Sequence, residues 1–229
     1  MQLEQGEPAA GPWRAVPIGE LVDHLYEVAG AVRGRPHIVA IDGRGGAGKS
    51  TLAQRLRAHV PRSAVVHTDD VAWHHSFFDW AGVLAEHVVE PLRRGKAVDF
   101  RPPPWAQRDR PGSITVPAGL DTVWVEGTGV LRTQLAPLLD ASVWVQVDRE
   151  EAGRRLVDRD GEAPEQLRHV EKWLREEHPF LLRERPWEHA SVVLAGSPVL
   201  DHAPAGHVVI AAGGQLDPRA DQPPSEAIV

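Results

Sequence analysis

The chain has 229 residues, of which 42% are hydrophobic and 25% charged, and its formal net charge is -7. This length and composition predict one soluble globular domain, and the acidic balance argues against a broad nucleic-acid interface, which needs a basic face. No run approaches the roughly 20 apolar residues of a membrane span, and the absence of cysteine excludes disulfides, thiolate metal sites and cysteine nucleophiles.

The two ends of the chain show no apolar period. Residues 1–16 are rich in Gly, Pro and Glu, and residues 213–229 have a similar composition, so both segments are predicted to be disordered. The first residues lack the basic and apolar pattern of a secretory signal, and we therefore expect a cytoplasmic protein. The predicted domain spans residues 17–212.

The predicted fold class is α/β. Five short β-rich runs, most of them apolar throughout, are typical of parallel strands that are covered on both faces. They span residues 37–42, 64–67, 122–126, 142–147 and 191–195. Helical patterns separate these runs, and a further one over residues 17–33 precedes them. The alternation indicates a doubly wound sheet, in which ligands collect beyond the carboxyl ends of the strands.

Two segments interrupt the alternation of strands and helices. Residues 97–117 are Pro-rich and predict an inserted hairpin on the acceptor side of the domain, because VDFR and SITV flank the prolines. Residues 149–162 form an Arg-rich predicted helix after the fourth run. We call this second segment the lid.

A glycine-rich segment, GRGGAGKST, follows the first run and precedes a helical pattern. Gly43, Gly48, Lys49 and Ser50 fill the template GxxxxGK[ST] of a phosphate-binding loop, or P-loop. Glycines let backbone N–H groups wrap a phosphate, and the following helix directs its N-terminus at the anion. Lys49 would bridge the β- and γ-phosphates of ATP, and Ser50 would offer its hydroxyl to Mg²⁺. The predicted nucleotide-binding residues are Gly43, Gly45, Gly46, Ala47, Gly48, Lys49, Ser50 and Thr51.

Acidic residues end the next two runs. Asp69 and Asp70 follow the second run, where a carboxylate can accept the proton of an acceptor hydroxyl or hold the metal through water. Their alternative role is a helix N-cap. Glu126 ends the third run, a position from which P-loop enzymes hold Mg²⁺; its alternative is an exposed strand-end acid. The predicted metal-side residues are Ser50, Asp69 and Glu126, and the base is either Asp69 or Asp70, with Asp69 preferred.

Arginines of the lid form a candidate phosphate clamp. Arg155 and Arg159 share one helix face at i, i+4, and Arg154 lies beside them. Guanidinium groups bind phosphate oxygens bidentately, which suits a lid over ATP. The alternative is a solvated helix with paired charges.

Aromatic residues are concentrated in segments predicted to flank the acceptor. Such rings suit a flat ligand, although core packing is the alternative for each of them. The aromatic residues of these segments are Trp73, Phe77, Phe78, Trp80 and Trp105, and the predicted substrate-side residues are Asp70, Trp73, Trp80 and Trp105. Trp173 and Trp187 lie in later helical patterns and are predicted to belong to the core.

The segments IDGRGGAGKSTLA, VHTDD, VEG and RRLxxRD, in this order, resemble the uridine kinase-like branch of P-loop nucleoside kinases over residues 37–195. The resemblance implies a five-stranded parallel core, Mg-ATP as donor and transfer to the 5′-hydroxyl of a pyrimidine ribonucleoside. It also implies that Asp69 is the general base, Glu126 a metal-side acid and the three lid arginines a clamp. The family commonly has a Tyr-Asp pair in the inserted hairpin, where this chain has Pro103 and Pro104. We therefore expect uridine and cytidine to be poor substrates.

The leading hypothesis is thus an ATP-dependent kinase of a nucleoside-type small molecule that bears a hydroxyl group. A kinase of another alcohol, such as a sugar, vitamin or antibiotic, is the first alternative. A non-catalytic nucleotide-binding module is disfavoured because acids follow both the second and the third run. A nucleic-acid-end kinase is disfavoured by the acidic balance and by the lack of a basic, aromatic-interleaved groove. The expected partner is a small-molecule acceptor, with neither nucleic acid nor membrane.

Overall fold

The structure is a computed structural model that describes residues 1–200 and 203–213. The strands of this part are β1 (Arg14–Pro17), β2 (His37–Gly43), β3 (Ser63–His67), β4 (Val98–Phe100), β5 (Ile114–Val116), β6 (Thr122–Glu126), β7 (Ala141–Gln146), β8 (Val192–Ala195) and β9 (His207–Ala212). The helices are α1 (Ile18–Ala29), α2 (Lys49–His59), α3 (Thr68–Ala72), α4 (Ala81–Leu84), α5 (Glu90–Arg93), α6 (Pro103–Gln107), α7 (Arg149–Asp160) and α8 (Pro164–Glu184). A π-helical turn, Ala85–Val89, joins α4 to α5.

A mostly parallel sheet forms the centre of the molecule. Its strand order is β1-β9-β8-β7-β2-β6-β3, and the five strands from β8 to β3 are all parallel to one another. These five strands are the five runs identified in the sequence, so the predicted doubly wound parallel core is confirmed. β9 and β1 extend it as antiparallel neighbours. The register pairs Ile41 and His67 with Glu126, which brings the carboxyl ends of β2, β6 and β3 together.

Apolar residues cover both faces of the sheet. Helices α1 and α2 bury one face through Leu21, Leu25 and Leu56, which are 0% exposed. The other face packs against α4, α5 and α8, with Trp187 1% exposed in that core, as predicted for it. Each fully buried side chain of this size contributes about 1.5–3 kcal/mol. β2, which ends at the P-loop, is therefore covered by apolar residues on both faces.

The N-terminal segment was predicted to be disordered, but the structure shows a strand and buried residues in it. Arg14–Pro17 forms β1, and Glu4 and Glu7 are only 5% and 7% exposed. Glu7 accepts hydrogen bonds from Trp144 Nε1 (2.8 Å) and from Gln146 Nε2 (3.1 Å). Both of these partners of Glu7 lie more than a hundred positions away in the chain, so composition alone could not indicate order. The tail predicted to be disordered lies, beyond Gly213, outside the described residues.

The predicted hairpin is present as the antiparallel pair β4 and β5. Pro103 and Pro104 open α6 between the two strands, at the first positions of a helix, where proline is tolerated. Trp105 of α6 donates its indole N–H to the backbone oxygen of Asp70 (2.9 Å). The hairpin is thereby attached to α3. None of the helices described is both long and apolar enough to cross a membrane.

Candidate functional site

The P-loop connects the end of β2 to the start of α2. A side chain at Gly43 would bring its Cβ within 2.8 Å of the backbone oxygen of Val145, and one at Gly46 within 2.2 Å of the backbone oxygen of Ala152. Gly48 adopts φ 97°, in the left-handed region. No side chain caps α2, and its first turn contains no acid, so its N-terminal N–H groups suit a bound anion.

Lys49 is held beneath the loop. Its side chain is buried, and Nζ donates to the backbone oxygens of Gly43 and Arg44, both at 2.9 Å, and to Thr128 Oγ1 at 3.0 Å. Thr128 also donates to the backbone oxygen of Gly43 (3.0 Å). This threonine, two residues after Glu126, was not identified from the sequence, because a threonine in a glycine-rich turn carries no motif.

Glu126 connects the P-loop to β3. Its Oε1 accepts a hydrogen bond from Ser50 Oγ (3.0 Å) and contacts His67 Nδ1. Burial raises the pKa of Glu126, but the bond to His67 and the charge of Lys49 outweigh burial, and the pKa lies below its ordinary value. The same bond to Glu126 raises the pKa of His67. Glu126 is therefore held as a carboxylate beside the predicted metal ligand Ser50.

Asp69 lies at the start of α3 and lines the same cavity as Lys49 and Glu126. Surrounding protein desolvates its carboxyl and raises the pKa, and the charge of Glu126 raises it further, although Lys49 acts in the opposite direction. A raised pKa makes this carboxylate a better proton acceptor. Asp70 points elsewhere: its Oδ1 accepts a hydrogen bond from Arg110 (2.6 Å) of the hairpin.

The oxygen groups beside the P-loop fit Mg²⁺. The hydroxyl of Ser50 and the carboxylates of Asp69 and Glu126 all line one cavity. Mg²⁺ prefers oxygen ligands, keeps several waters and commonly takes one or two carboxylates together with phosphate oxygens. Within residues 1–200 and 203–213, no group of three His, Asp or Glu residues could form an all-protein metal cage. The donor set thus suits an ion that arrives with a phosphate ligand.

The cavity has a volume of about 720 Å³ and extends from the P-loop toward α8. Three aromatic residues that line it, Trp73, Phe77 and Trp173, form what we call the aromatic wall. Phe77 and Trp173 meet edge to face with ring centroids 5.2 Å apart. Trp73, one of the predicted substrate-side residues, lines this cavity. Trp173, which was predicted to be a core residue, is half-buried at the cavity, because α8 crosses over the P-loop.

Three predicted substrate-side residues do not line the cavity. Trp80 is 1% exposed and packs under Arg132, whose guanidinium carbon lies 4.4 Å from the ring centroid. Trp105 is 5% exposed, with Arg110 stacked 3.6 Å from its ring centroid. Asp70 is engaged by the same Arg110. These residues attach the hairpin and α4 to the domain. The prediction that they are substrate-side residues is therefore wrong, because a local sequence pattern does not show which side chains become buried.

The lid arginines occupy three different environments. Arg155 donates from Nη1 to the backbone oxygens of Gly46 (3.3 Å) and Gly196 (2.9 Å), so it contacts the P-loop directly. Arg159 lines the cavity, and its hydrogen bond with Asp160 raises the pKa of the guanidinium. Arg154 is exposed and does not line the cavity. Of the three predicted clamp residues, Arg159 lines the cavity, whereas Arg155 contacts the P-loop from outside the cavity and pairs with Glu151, and Arg154 does neither.

Asp42, at the end of β2, is a further residue that sequence reasoning missed. It is 0% exposed and accepts N–H bonds from Gly43 (2.7 Å), Gly129 (2.9 Å) and Leu131 (2.7 Å). Burial raises the pKa of Asp42 to about 6, against these bonds and the charge of Lys49. An acid directly before the P-loop was the available signal. The hydrogen bonds that Asp42 accepts connect the loop that follows Glu126 to the P-loop.

No protein-family model matches the chain, and no curated protein sequence matches it. Solved structures do match. D-glycerate 3-kinase from Cryptococcus neoformans var. grubii superposes with a TM-score of 0.54 at 12% identity, over 77% of this chain and 92% of that chain. A structure described as a possible uridine kinase from Bacillus stearothermophilus has a TM-score of 0.50 at 18% identity, over 76% and 98%.

A third similar structure, described as a fructose transport system kinase from Silicibacter sp. TM1040, has a TM-score of 0.50 at 18% identity and covers 73% of this chain and 89% of that chain. These similarities establish the fold: the chain has the α/β fold of P-loop kinases, with a mostly parallel central sheet. The three descriptions name uridine, a fructose transport system and D-glycerate. The fold alone therefore leaves the acceptor open.

Proposed function

We propose that the protein is an ATP-dependent phosphotransferase that moves the γ-phosphoryl group of ATP to a hydroxyl group of a small molecule. The observation that carries this proposal is the single cavity that joins the P-loop, Asp69 and the aromatic wall. Donor loop, candidate base and acceptor surface thus open into one space. The P-loop kinase fold of the three similar structures supports the same class of reaction.

On the donor side, the free N–H groups at the start of α2 bind the phosphates, and Lys49 supplies a positive charge. Lys49 exchanges its bonds to backbone oxygens for bonds to phosphate oxygens when ATP is bound. Ser50 and Glu126, with Asp69, would hold Mg²⁺, which neutralises charge on the transferring group. Arg155 and Arg159 of the lid add charge from the other side of the loop.

On the acceptor side, Asp69 accepts the proton of the attacking hydroxyl. The new bond forms between that hydroxyl oxygen and the γ-phosphorus, the bond from the γ-phosphorus to the β-γ bridging oxygen breaks, and ADP leaves. The raised pKa of Asp69 suits this role. The aromatic wall offers ring faces to a flat acceptor, and a nucleoside-type molecule is the leading candidate.

A non-nucleoside alcohol is the second candidate, and one observation favours it. No residue between 97 and 117 lines the cavity, and Pro103 and Pro104 open a helix that packs on α3. The hairpin that holds the nucleoside in the resembled family therefore supplies no side chain here.

The proposal is tested by a screen of nucleosides and small alcohols with Mg-ATP, in which ADP and the phosphorylated product are both measured. We expect product formation with at least one acceptor, and a rate lower by about 10³-fold or more with the Lys49→Ala variant. Failure of the wild-type protein to bind ATP, measured by calorimetry, would overturn the proposal.

A further inference from the structure

A buried carboxylate on α8 contacts the P-loop. Glu177 is 2% exposed, and its Oε1 accepts the backbone N–H of Gly45 at 2.6 Å. Gly45 precedes the N-terminus of α2 by several residues, so this bond holds the outer part of the loop. The N–H groups at the start of α2 remain available for phosphate.

The same oxygen also binds the aromatic wall. Trp173 Nε1 donates to Glu177 Oε1 at 3.1 Å, and the two residues are one helical turn apart on α8. One carboxylate oxygen therefore joins a backbone N–H of the donor loop to an indole that lines the acceptor side of the cavity.

Packing reinforces this connection. A Cβ at Gly45 would lie 2.8 Å from Trp173 Nε1, so only glycine lets the loop approach the indole this closely. On its other side Trp173 contacts Phe77 at 5.2 Å and Phe78 at 5.2 Å between ring centroids. Phe78 in turn stacks on Phe180 of α8 at 4.2 Å. A displacement of the P-loop at Gly45 would thus be transmitted through Trp173 to the segment 73–78.

We propose that Glu177 is a positioning residue that couples nucleotide binding at the P-loop to the ordering of the aromatic wall. The inference rests on the proposed function, because it assigns a role to the same cavity. The coupling depends on one atom, Glu177 Oε1, which accepts hydrogen bonds from Gly45 in the P-loop and from Trp173 in the aromatic wall. A phosphate that fixes the loop then also fixes Trp173, and the acceptor meets an ordered wall only when the donor is bound.

Hydrogen exchange, measured by mass spectrometry with and without Mg²⁺ and a non-hydrolysable ATP analogue, tests the coupling without knowledge of the acceptor. The variants are Glu177→Ala, which removes the shared acceptor atom, and Glu177→Gln, whose amide oxygen can still accept both bonds. Glu171→Ala is the matched control, because Glu171 is exposed on the same helix and does not line the cavity. Calorimetry gives the affinity of each variant for the analogue.

We expect the analogue to slow exchange in residues 73–78 and 173–180 of the wild type, Glu177→Gln and Glu171→Ala. In Glu177→Ala we expect the analogue to bind within about tenfold of the wild-type affinity, since one amide loses a partner, but to leave exchange in residues 73–78 unchanged. Equal protection in Glu177→Ala and the wild type would overturn the coupling. So would wild-type binding without protection of residues 73–78.

If Glu177→Ala fails to fold, Trp173→Phe carries the test. It keeps an aromatic ring and the hydrogen bond that Gly45 N–H donates to Glu177, but it removes the indole N–H. Protection should then persist at the P-loop and be lost in residues 73–78, and its persistence in both segments would contradict the inference. Failure of the wild type to bind the analogue would overturn the proposed function itself, which separates the two results.

Discussion

The ammonium group of Lys49 lies under the P-loop, where three oxygen atoms accept its hydrogen bonds. Replacing this one residue tests the P-loop mechanism directly. Lys49→Ala removes the charge from the phosphate site, and we expect a fall in kcat of about 10³-fold or more. Thr128 still bonds to the backbone oxygen of Gly43, so the fold should persist. Steady-state kinetics and a thermal melt measure the two effects. A rate near wild type would contradict a P-loop mechanism.

Asp69 and Asp70 are adjacent in sequence but face different partners, so they form a matched pair. Asp69→Asn should lower kcat about 10²–10⁴-fold with little change in ATP affinity, since a base acts on the acceptor hydroxyl. Asp70→Asn weakens the pair with Arg110, which is away from the cavity, and should change kcat little. The comparison requires kcat and the dissociation constant of ATP for both variants. A larger loss in Asp70→Asn would reverse the assignment.

Asp42 makes stability depend on pH in an unusual direction. Burial raises its pKa from 3.8 to about 6, so the native state holds its proton more tightly than the unfolded chain. The stability that this acid contributes is fully present below pH 3.8 and is lost as pH rises through about 6. Asp42→Asn cannot titrate, and its amide faces a backbone N–H, so it should be less stable than wild type.

We expect the difference in unfolding free energy between wild type and Asp42→Asn to become smaller as pH rises. Between pH 4.5 and pH 7.5, the gap in unfolding free energy between wild type and Asp42→Asn should narrow by about 2 kcal/mol, because each pKa unit is worth about 1.4 kcal/mol. Urea denaturation at both pH values measures it. A gap that is constant or widens would show that Asp42 ionises normally in the folded protein.

At the scale of elements, the N-terminal segment is fastened to the P-loop by a buried ion pair. Glu4 Oε2 accepts a bond from Arg44 Nη2 at 2.7 Å, and the two side chains are 3% and 5% exposed. Burial raises the pKa of Glu4, but bonds from Arg44 and His178 lower it below its ordinary value. The N-terminal segment thus supplies, through Glu4, the negative charge that balances the buried guanidinium of Arg44.

Removal of that charge should be costly. Glu4→Ala leaves Arg44 buried without its partner, and we expect a loss of about 3–5 kcal/mol in unfolding free energy. The control is Glu20→Ala, which breaks an ion pair with Arg14 that is half exposed on both sides and should cost no more than about 1 kcal/mol. Equal losses in urea denaturation would mean that the segment is not fastened through Glu4.

The sequence predicted those elements whose signal is local. Each strand of the parallel core is a short apolar run, and the P-loop is a contiguous motif, so both were found with nearly correct bounds. The contributions of Glu4, Trp80 and Trp173 depend on which distant element covers them. Trp80 and Trp173 have the same side chain, yet one packs under Arg132 and the other lines the cavity. Trp173 lines the cavity because it lies on α8, whereas Trp80 lies under Arg132, and no local pattern specifies either position.

At the scale of the whole molecule, the proposed reaction would use different parts of the chain for the donor and for the acceptor. In that proposal the end of the sheet and α2 hold the donor, and α3, the segment 73–78 and α8 face the acceptor. All of these elements contribute residues to the cavity. The inserted hairpin, which the resemblance assigns to the acceptor, instead packs on α3 through Trp105 and Arg110. We therefore expect acceptor choice to depend on the aromatic wall and its polar neighbours.

This arrangement bears on uridine and cytidine as acceptors. A nucleoside site that lacks the hairpin side chains leaves polar groups of the bound ligand unpaired, and each such loss costs about 1–3 kcal/mol. Two losses weaken transition-state binding by roughly two orders of magnitude or more. We expect kcat/KM for uridine and cytidine below about 10⁴ M⁻¹s⁻¹, the lower end of the ordinary range for enzymes. The preferred acceptor from the screen, measured under the same conditions, is the control, and its kcat/KM should fall in Trp173→Ala. A kcat/KM for uridine at or above that limit would show that residues outside the hairpin hold the nucleoside.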